Sequence, residues 1–202
     1  MKKTFNPIRR PVINVFHNGE VAEVNYFQDF KDFLASQDAK VNITNYWKQT
    51  RGKAPWQVID YAINFKISEK ISEQDADQIW CVFDIDNFLK QDKKSFTKAL
   101  EKAKENNINI AWSNPCFEIW PMLHFELIET EISAQDCQKK LKVFFKRIGV
   151  DYKKNCEGLF SKLFNEQTTA ITRAKKISKE QDPKINPSTT VFRLVEELKI
   201  FL

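Results

Sequence analysis

The sequence predicts an α/β protein: a mainly parallel sheet flanked by helices, with a helical C-terminal part packed on it. Three observations carry this. Short apolar runs rich in β-branched and aromatic residues alternate with segments of helical apolar spacing, in the order β-α-β-α-β-α-β up to about residue 112. One of those runs, residues 79–83 (I-W-C-V-F), is apolar without interruption, which suits a strand covered on both faces. A chain of 202 residues with only 4 glycines also has too few turn formers for a loop-rich all-β protein.

Residues 11–16 (P-V-I-N-V-F) read as the first strand, with His17, Asn18, Gly19 and Glu20 as the turn after it. A helix is expected from about 22 to 36, because Tyr26, Phe27, Phe30, Phe33 and Leu34 share one stripe. Residues 41–46 form the second strand, and Arg51, Gly52 and Lys53 a basic loop. Ile59, Ile63, Ile67 and Ile71 recur at four-residue intervals and mark a second helix. The strand at 79–83 runs into Asp84 and Asp86. A third helix follows over 94–106, with Phe96, Ala99, Leu100 and Ala103 on one face, and then a strand at 108–112 (I-N-I-A-W).

Asn114 before Pro115 reads as an N-cap and first turn, starting a helix that holds Glu118 near its beginning and facing the strand ends. Pro121 should kink or interrupt that helix. Beyond Ser133, the residues Leu141, Phe144, Phe145 and Ile148 form another stripe, stopped at Gly149. One or two helices are expected over 151–178, on Leu159, Leu163, Phe164 and Ile171. After a charged connector at 179–186, Asn186 and Pro187 repeat the cap-and-start signal for a closing helix on Val191, Leu194, Val195 and Leu198. The expected organisation is one domain, an α/β core at 1–128 and a helical extension of it at 129–202.

Apolar residues at 42%, including 17 phenylalanines, suffice for a substantial core. No uninterrupted apolar stretch approaches the ~20 residues that cross a bilayer, so no membrane is expected. The start, M-K-K-T-F-N-P-I-R-R, has charges but no apolar region behind them, unlike a secretory signal. Cys81, Cys116, Cys137 and Cys156 show no CxxC spacing and read as free thiols in a reducing cytoplasm. A net charge of +5 permits a polyanionic partner without demanding one.

Asp84 and Asp86 end the most apolar strand two residues apart, so alternation turns both side chains to one side. Open α/β sheets bind ligands at that end of their strands. Two carboxylates so close repel unless a cation or proton neutralises one, and Mg²⁺ is the simplest such cation. Taken alone, the pair equally reads as polar residues closing a strand. F-D-I-D also fits the nucleophile motif of haloacid dehalogenase-type phosphatases, but there the motif follows the first strand and a Thr or Val stands two residues after the second Asp. Here two β-α units precede it, Phe88 holds that place and no later paired aspartates complete the site, so that reading is rejected. Basic residues cluster at Lys139, Lys140, Lys142, Lys146 and Arg147, at Lys153 and Lys154, and at Arg173, Lys175, Lys176 and Lys179. They either track a phosphate backbone or form a solvated helix face.

Four stretches together resemble the RloB-like family, whose fold is similar to the Toprim domain: G-E-V-A-E-V-N-Y-F (19–27), I-W-C-V-F-D-I-D-N-F (79–88), S-N-P-C-F-E-I-W-P-M-L-H-F (113–125) and N-P-S-T-T-V-F-R-L-V-E-E-L (186–198). The resemblance covers almost the whole chain. It implies a Toprim-like sheet and a nuclease dependent on Mg²⁺ (or Mn²⁺) that hydrolyses RNA, tRNA included, or DNA. It further implies an effector of a bacterial antiphage abortive-infection system, working with a partner ATPase and compatible with a homo-oligomer.

Toprim enzymes place a glutamate after the first strand and a DxD after a later one, so Asp84 and Asp86 map onto the DxD as metal ligands. Glu118 matches the acidic residue of the S-N-P-x-F-E block, as a further ligand or as the base that activates water. His124, in the same block but among apolar neighbours, is expected to pack or hydrogen-bond. Substrate binding falls to Lys139, Lys142, Lys146 and Arg147. One departure matters. The family's first motif runs E-G-x-x-T-E-x-x-Y-F, and here Asn18 stands at the glutamate and Ala22 at the threonine. Asn keeps a carbonyl oxygen but neither carries charge nor takes a proton. Glu20 or Glu23 takes over as ligand, or both are helix N-terminal carboxylates favoured by the dipole. The alternative to an enzyme is therefore a catalytically degenerate Toprim-like module that binds an ATPase partner or nucleic acid without cleaving it.

Overall fold

Four short apolar segments joined through helices settle into one parallel sheet. The computed structural model describes residues 9–19, 21–71, 76–85, 88, 92–153, 156–178 and 182–202. Strands β1 (Val12–His17), β2 (Asn42–Tyr46), β3 (Gln78–Asp84) and β4 (Asn109–Asn114) lie parallel in the order β2-β1-β3-β4. A two-residue strand, β5 (Ser188–Thr189), closes the β4 edge antiparallel.

Alternation along β3 divides the core in two. Trp80 and Val82 join Tyr26, Phe27 and Phe30 of helix α1 (Ala22–Ser36) on one face. Ile79, Cys81 and Phe83 join α2 (Pro55–Ser68) and α3 (Lys93–Glu105) on the other. The chain steps from β1 outward to β2 and then back past β1 to β3. The strand order thus reverses between β1 and β3, and the crevice at their carboxyl ends is the natural ligand position of such a sheet.

The C-terminal helices share the α1 core. They are α4 (Ile119–Met122), α5 (Ala134–Arg147), α6 (Leu159–Leu163), α7 (Gln167–Ile177) and α8 (Val191–Lys199). Phe160 stacks on Phe30 with ring centroids 3.8 Å apart, tying α6 to α1. Helix α5 begins where the Ser133 hydroxyl accepts from the Asp136 N–H at 3.1 Å, and stops at Gly149, whose φ of +74° suits a residue without a side chain. Among the described residues no helix is long and apolar enough to cross a membrane.

Two local expectations are corrected. Ile67 is 69% exposed, and α2 buries Val58, Ile59, Ala62 and Ile63 instead. An i, i+4 series rotates about 40° per step around a helix, so it leaves the core after two steps. Neither Asn-Pro pair starts a helix. Asn114 is the last residue of β4, and its amide donates to the carbonyls of Pro183 (2.9 Å) and Ile185 (3.2 Å). Asn186 likewise spends its amide on the backbone N–H and carbonyl of Ile132, at 3.1 and 2.9 Å. Both peptide bonds to proline are cis. Distant carbonyls win these side chains from the local cap, so α4 begins only at Ile119 and α8 at Val191.

Candidate active site

The carboxyl ends of β1 and β3 are joined by Asn18, which is 8% exposed. Its backbone N–H donates to Val82 O (3.1 Å) and its carbonyl accepts from Gly52 N (2.7 Å). Its side-chain Oδ1 accepts from the Asp84 N–H at 3.3 Å. The amide oxygen of Asn18 therefore acts as a strut that positions Asp84. From below, the Thr50 hydroxyl donates to His17 O at 2.7 Å and steadies the same turn.

Glu23 sits in the first turn of α1 and is buried. No side chain caps this helix, so the positive end of its dipole favours the carboxylate. The carboxylate folds back over Gly19 so closely that a Cβ there would stand 1.5 Å from Glu23 Oε1. Gly19 is needed for this approach and not for its φ. Glu23 thus lies beside the position where the family motif carries its glutamate.

Glu118 immediately precedes α4 and is 3% exposed. Its Oε1 has no hydrogen-bond partner among the described residues. A buried carboxylate oxygen left unpaired is costly, and a cation or a proton would supply what is missing. Neighbouring groups register the local charge. The Cys116 thiol is pushed up by its hydrogen bond with Cys137 and by burial, then by the negative charges of Glu118 and Asp84. The Tyr152 hydroxyl is pushed up first by burial, then by Glu118, with Glu23 contributing as well. Glu118 and Asp84 thus both act on Cys116, and Glu118 and Glu23 on Tyr152.

Asp86 and Glu20, the other expected ligands, lie outside the described residues. Among the described residues no group of three or more His, Cys, Asp or Glu side chains is placed to hold a metal ion. The donors that are present are hard carboxylate oxygens, one of them unpartnered, and this chemistry fits Mg²⁺ or Mn²⁺ better than a soft metal.

His124 is buried and its Nδ1 lies 3.1 Å from Trp120 O, the packing role expected of it. Burial lowers its pKa to about 4, and does the same to His17, partly offset by the hydrogen bond to Asn45. Neither is a proton carrier at neutral pH. Below pH 6.5 the unfolded chain protonates His124 while the folded chain resists until about pH 4, so stability falls across that window. His124→Gln is expected to reduce the loss of unfolding free energy between pH 6.5 and 4 by roughly 3 kcal/mol. Urea titrations at the two pH values measure this, and an unchanged difference would assign the acid sensitivity elsewhere.

The basic residues separate into different surroundings. Lys142 and Lys146 line a cavity of about 710 Å³ between α5 and residues 149–153. Lys139 instead pairs with Asp136 at 3.0 Å, and the Arg147 guanidinium lies over the Phe144 ring at 5.2 Å. Arg173 donates to Leu123 O, while Lys175 and Lys176 pair with Glu196 and Glu129. Lys154 and Lys179 lie outside the described residues. Reasoning from the sequence missed Tyr152 altogether, since a tyrosine three residues past a helix stop carries no signal of its own. Cys116 stands inside the S-N-P-C-F-E block, but its spacing marks it only as a free thiol.

A model of the RloB-like protein family matches residues 13–198. No curated protein and no solved structure matches the chain.

Proposed function

Because the chain belongs to the RloB-like family, we propose that it is a metal-dependent nuclease that hydrolyses phosphodiester bonds of RNA, tRNA included, or of DNA. In this reading it is the effector of an antiphage abortive-infection system and acts with a partner ATPase. The observation that carries the reading is the buried Glu118 carboxylate, one oxygen of which has no partner among the described residues. Asp84 and Glu118 would hold the cation, and the sequence offers Glu23, Asp86 and Glu20 as further ligands. A bound Mg²⁺ or Mn²⁺ would supply polarisation of the phosphate and an offset for the charge on its oxygens. Asn18 keeps Asp84 in place by accepting from the Asp84 N–H through Oδ1. Glu118 would also accept the proton of the attacking water.

Asn18 favours a second reading, a degenerate module that binds an ATPase or nucleic acid without cutting it. One comparison separates the two. Purified protein is incubated with tRNA, single-stranded RNA and duplex DNA in Mg²⁺, in Mn²⁺ and in EDTA, beside Asn18→Glu. Wild-type cleavage that EDTA abolishes is expected. Asn18→Glu should bring no gain, since Glu23 already lies against Gly19 and another buried carboxylate crowds like charges. Cleavage by Asn18→Glu alone would establish the degenerate module.

A further inference from the structure

The cavity of about 710 Å³ against α5 is built from parts that the acidic pocket does not use. Lys142, Lys146 and Lys153 line it, opposed by the single carboxylate of Asp151. None of these three lysines forms an ion pair with a described acidic residue, unlike Lys139, Lys175 and Lys176. Its floor includes Tyr152, whose ring stacks on Phe145 with centroids 5.1 Å apart and whose hydroxyl has no partner among the described residues.

We propose that this cavity is a substrate subsite: a single nucleic-acid strand seats its phosphates on Lys142, Lys146 and Lys153. The inference rests on the nuclease reading and adds the form of the substrate and its path. The volume falls in the range that encloses a small ligand, enough for one or two nucleotides of a flexible strand. Three ammonium groups neutralise phosphates by releasing counterions, which makes binding salt-dependent.

Binding of a short fluorescein-labelled single-stranded RNA is followed by anisotropy across a salt series in EDTA, where no cleavage intervenes. Replacing Lys142, Lys146 and Lys153 together by Gln should weaken binding at least tenfold and flatten the log–log salt slope by about 2. A charge-matched control, Lys98, Lys102 and Lys104 to Gln on α3 across the sheet, should leave the slope as it is. An unaltered slope in the cavity variant, an equal loss in the control, or duplex DNA bound with the same lysine dependence overturns the proposal. Wild-type cleavage with cavity-independent binding defeats this inference alone. Lysine-dependent RNA binding without any cleavage in Mg²⁺ or Mn²⁺ defeats the nuclease reading and leaves the subsite standing.

Discussion

Glu118→Gln is expected to lower metal-dependent cleavage about a hundredfold or more, and at the same time to raise the thermal midpoint of the metal-free protein. The two effects share one cause. Glu118 is 3% exposed, and one of its oxygens has no partner among the described residues. Without a cation, that arrangement costs stability, and a neutral amide of the same shape relieves it. With a cation, the same carboxylate stabilises the complex. At free Mg²⁺ a hundredfold above Kd, wild-type protein should gain about 2.7 kcal/mol, or about 5–10 °C for a chain of this size. Glu118→Gln should lose most of that gain. A hundredfold in rate is about 2.7 kcal/mol of transition-state stabilisation, a plausible share for one ligand or base. Asp84→Asn should lose metal binding and cleavage too, but with less gain in the metal-free state, because Asp84 is only half-buried. Differential scanning fluorimetry with and without Mg²⁺ reads all of this. A metal-induced shift that survives in Glu118→Gln would remove Glu118 from the centre.

Gly19→Ala should weaken Mn²⁺ binding by about tenfold to a hundredfold, the range seen when groups supporting a metal site are lost, although it leaves every candidate ligand in the sequence. The added Cβ would stand 1.5 Å from Glu23 Oε1 and 2.1 Å from Cδ, so the carboxylate must leave its place. Only the flexible end of one side chain has to move. Gly19 is not in the left-handed region, and alanine there restricts the unfolded chain, so global stability should stay within about 1 kcal/mol. Calorimetry on Gly19→Ala, Glu23→Gln and the double variant tests the assignment. If Glu23 is a ligand, the single changes have similar effects and the double adds little to either. Full additivity would mean that Gly19 acts through something other than Glu23.

The sequence by itself determined the alternation of strands and helices, the bounds of α1, the parallel sheet and the family. These follow from patterns a few residues long. Aromatic residues at helical spacing bury one face of α1, and an unbroken apolar run is solvent-averse on both sides of β3. The same local logic misplaced Ile67, because a four-residue repeat only approximates the helical turn. It also misread both Asn-Pro pairs, because an asparagine amide bonds whichever group the fold brings to it. What only the tertiary structure decided is the use of each polar group at the site. Asn18 reaches across 66 positions to hold the backbone of Asp84. Glu23 leans over Gly19, Glu118 is buried with an oxygen unpaired, and Lys142, Lys146 and Lys153 face one cavity while Lys139 pairs with Asp136. Whether a carboxylate or a lysine is paired, buried or free to meet a ligand depends on which distant segments pack around it, and no local spacing records that.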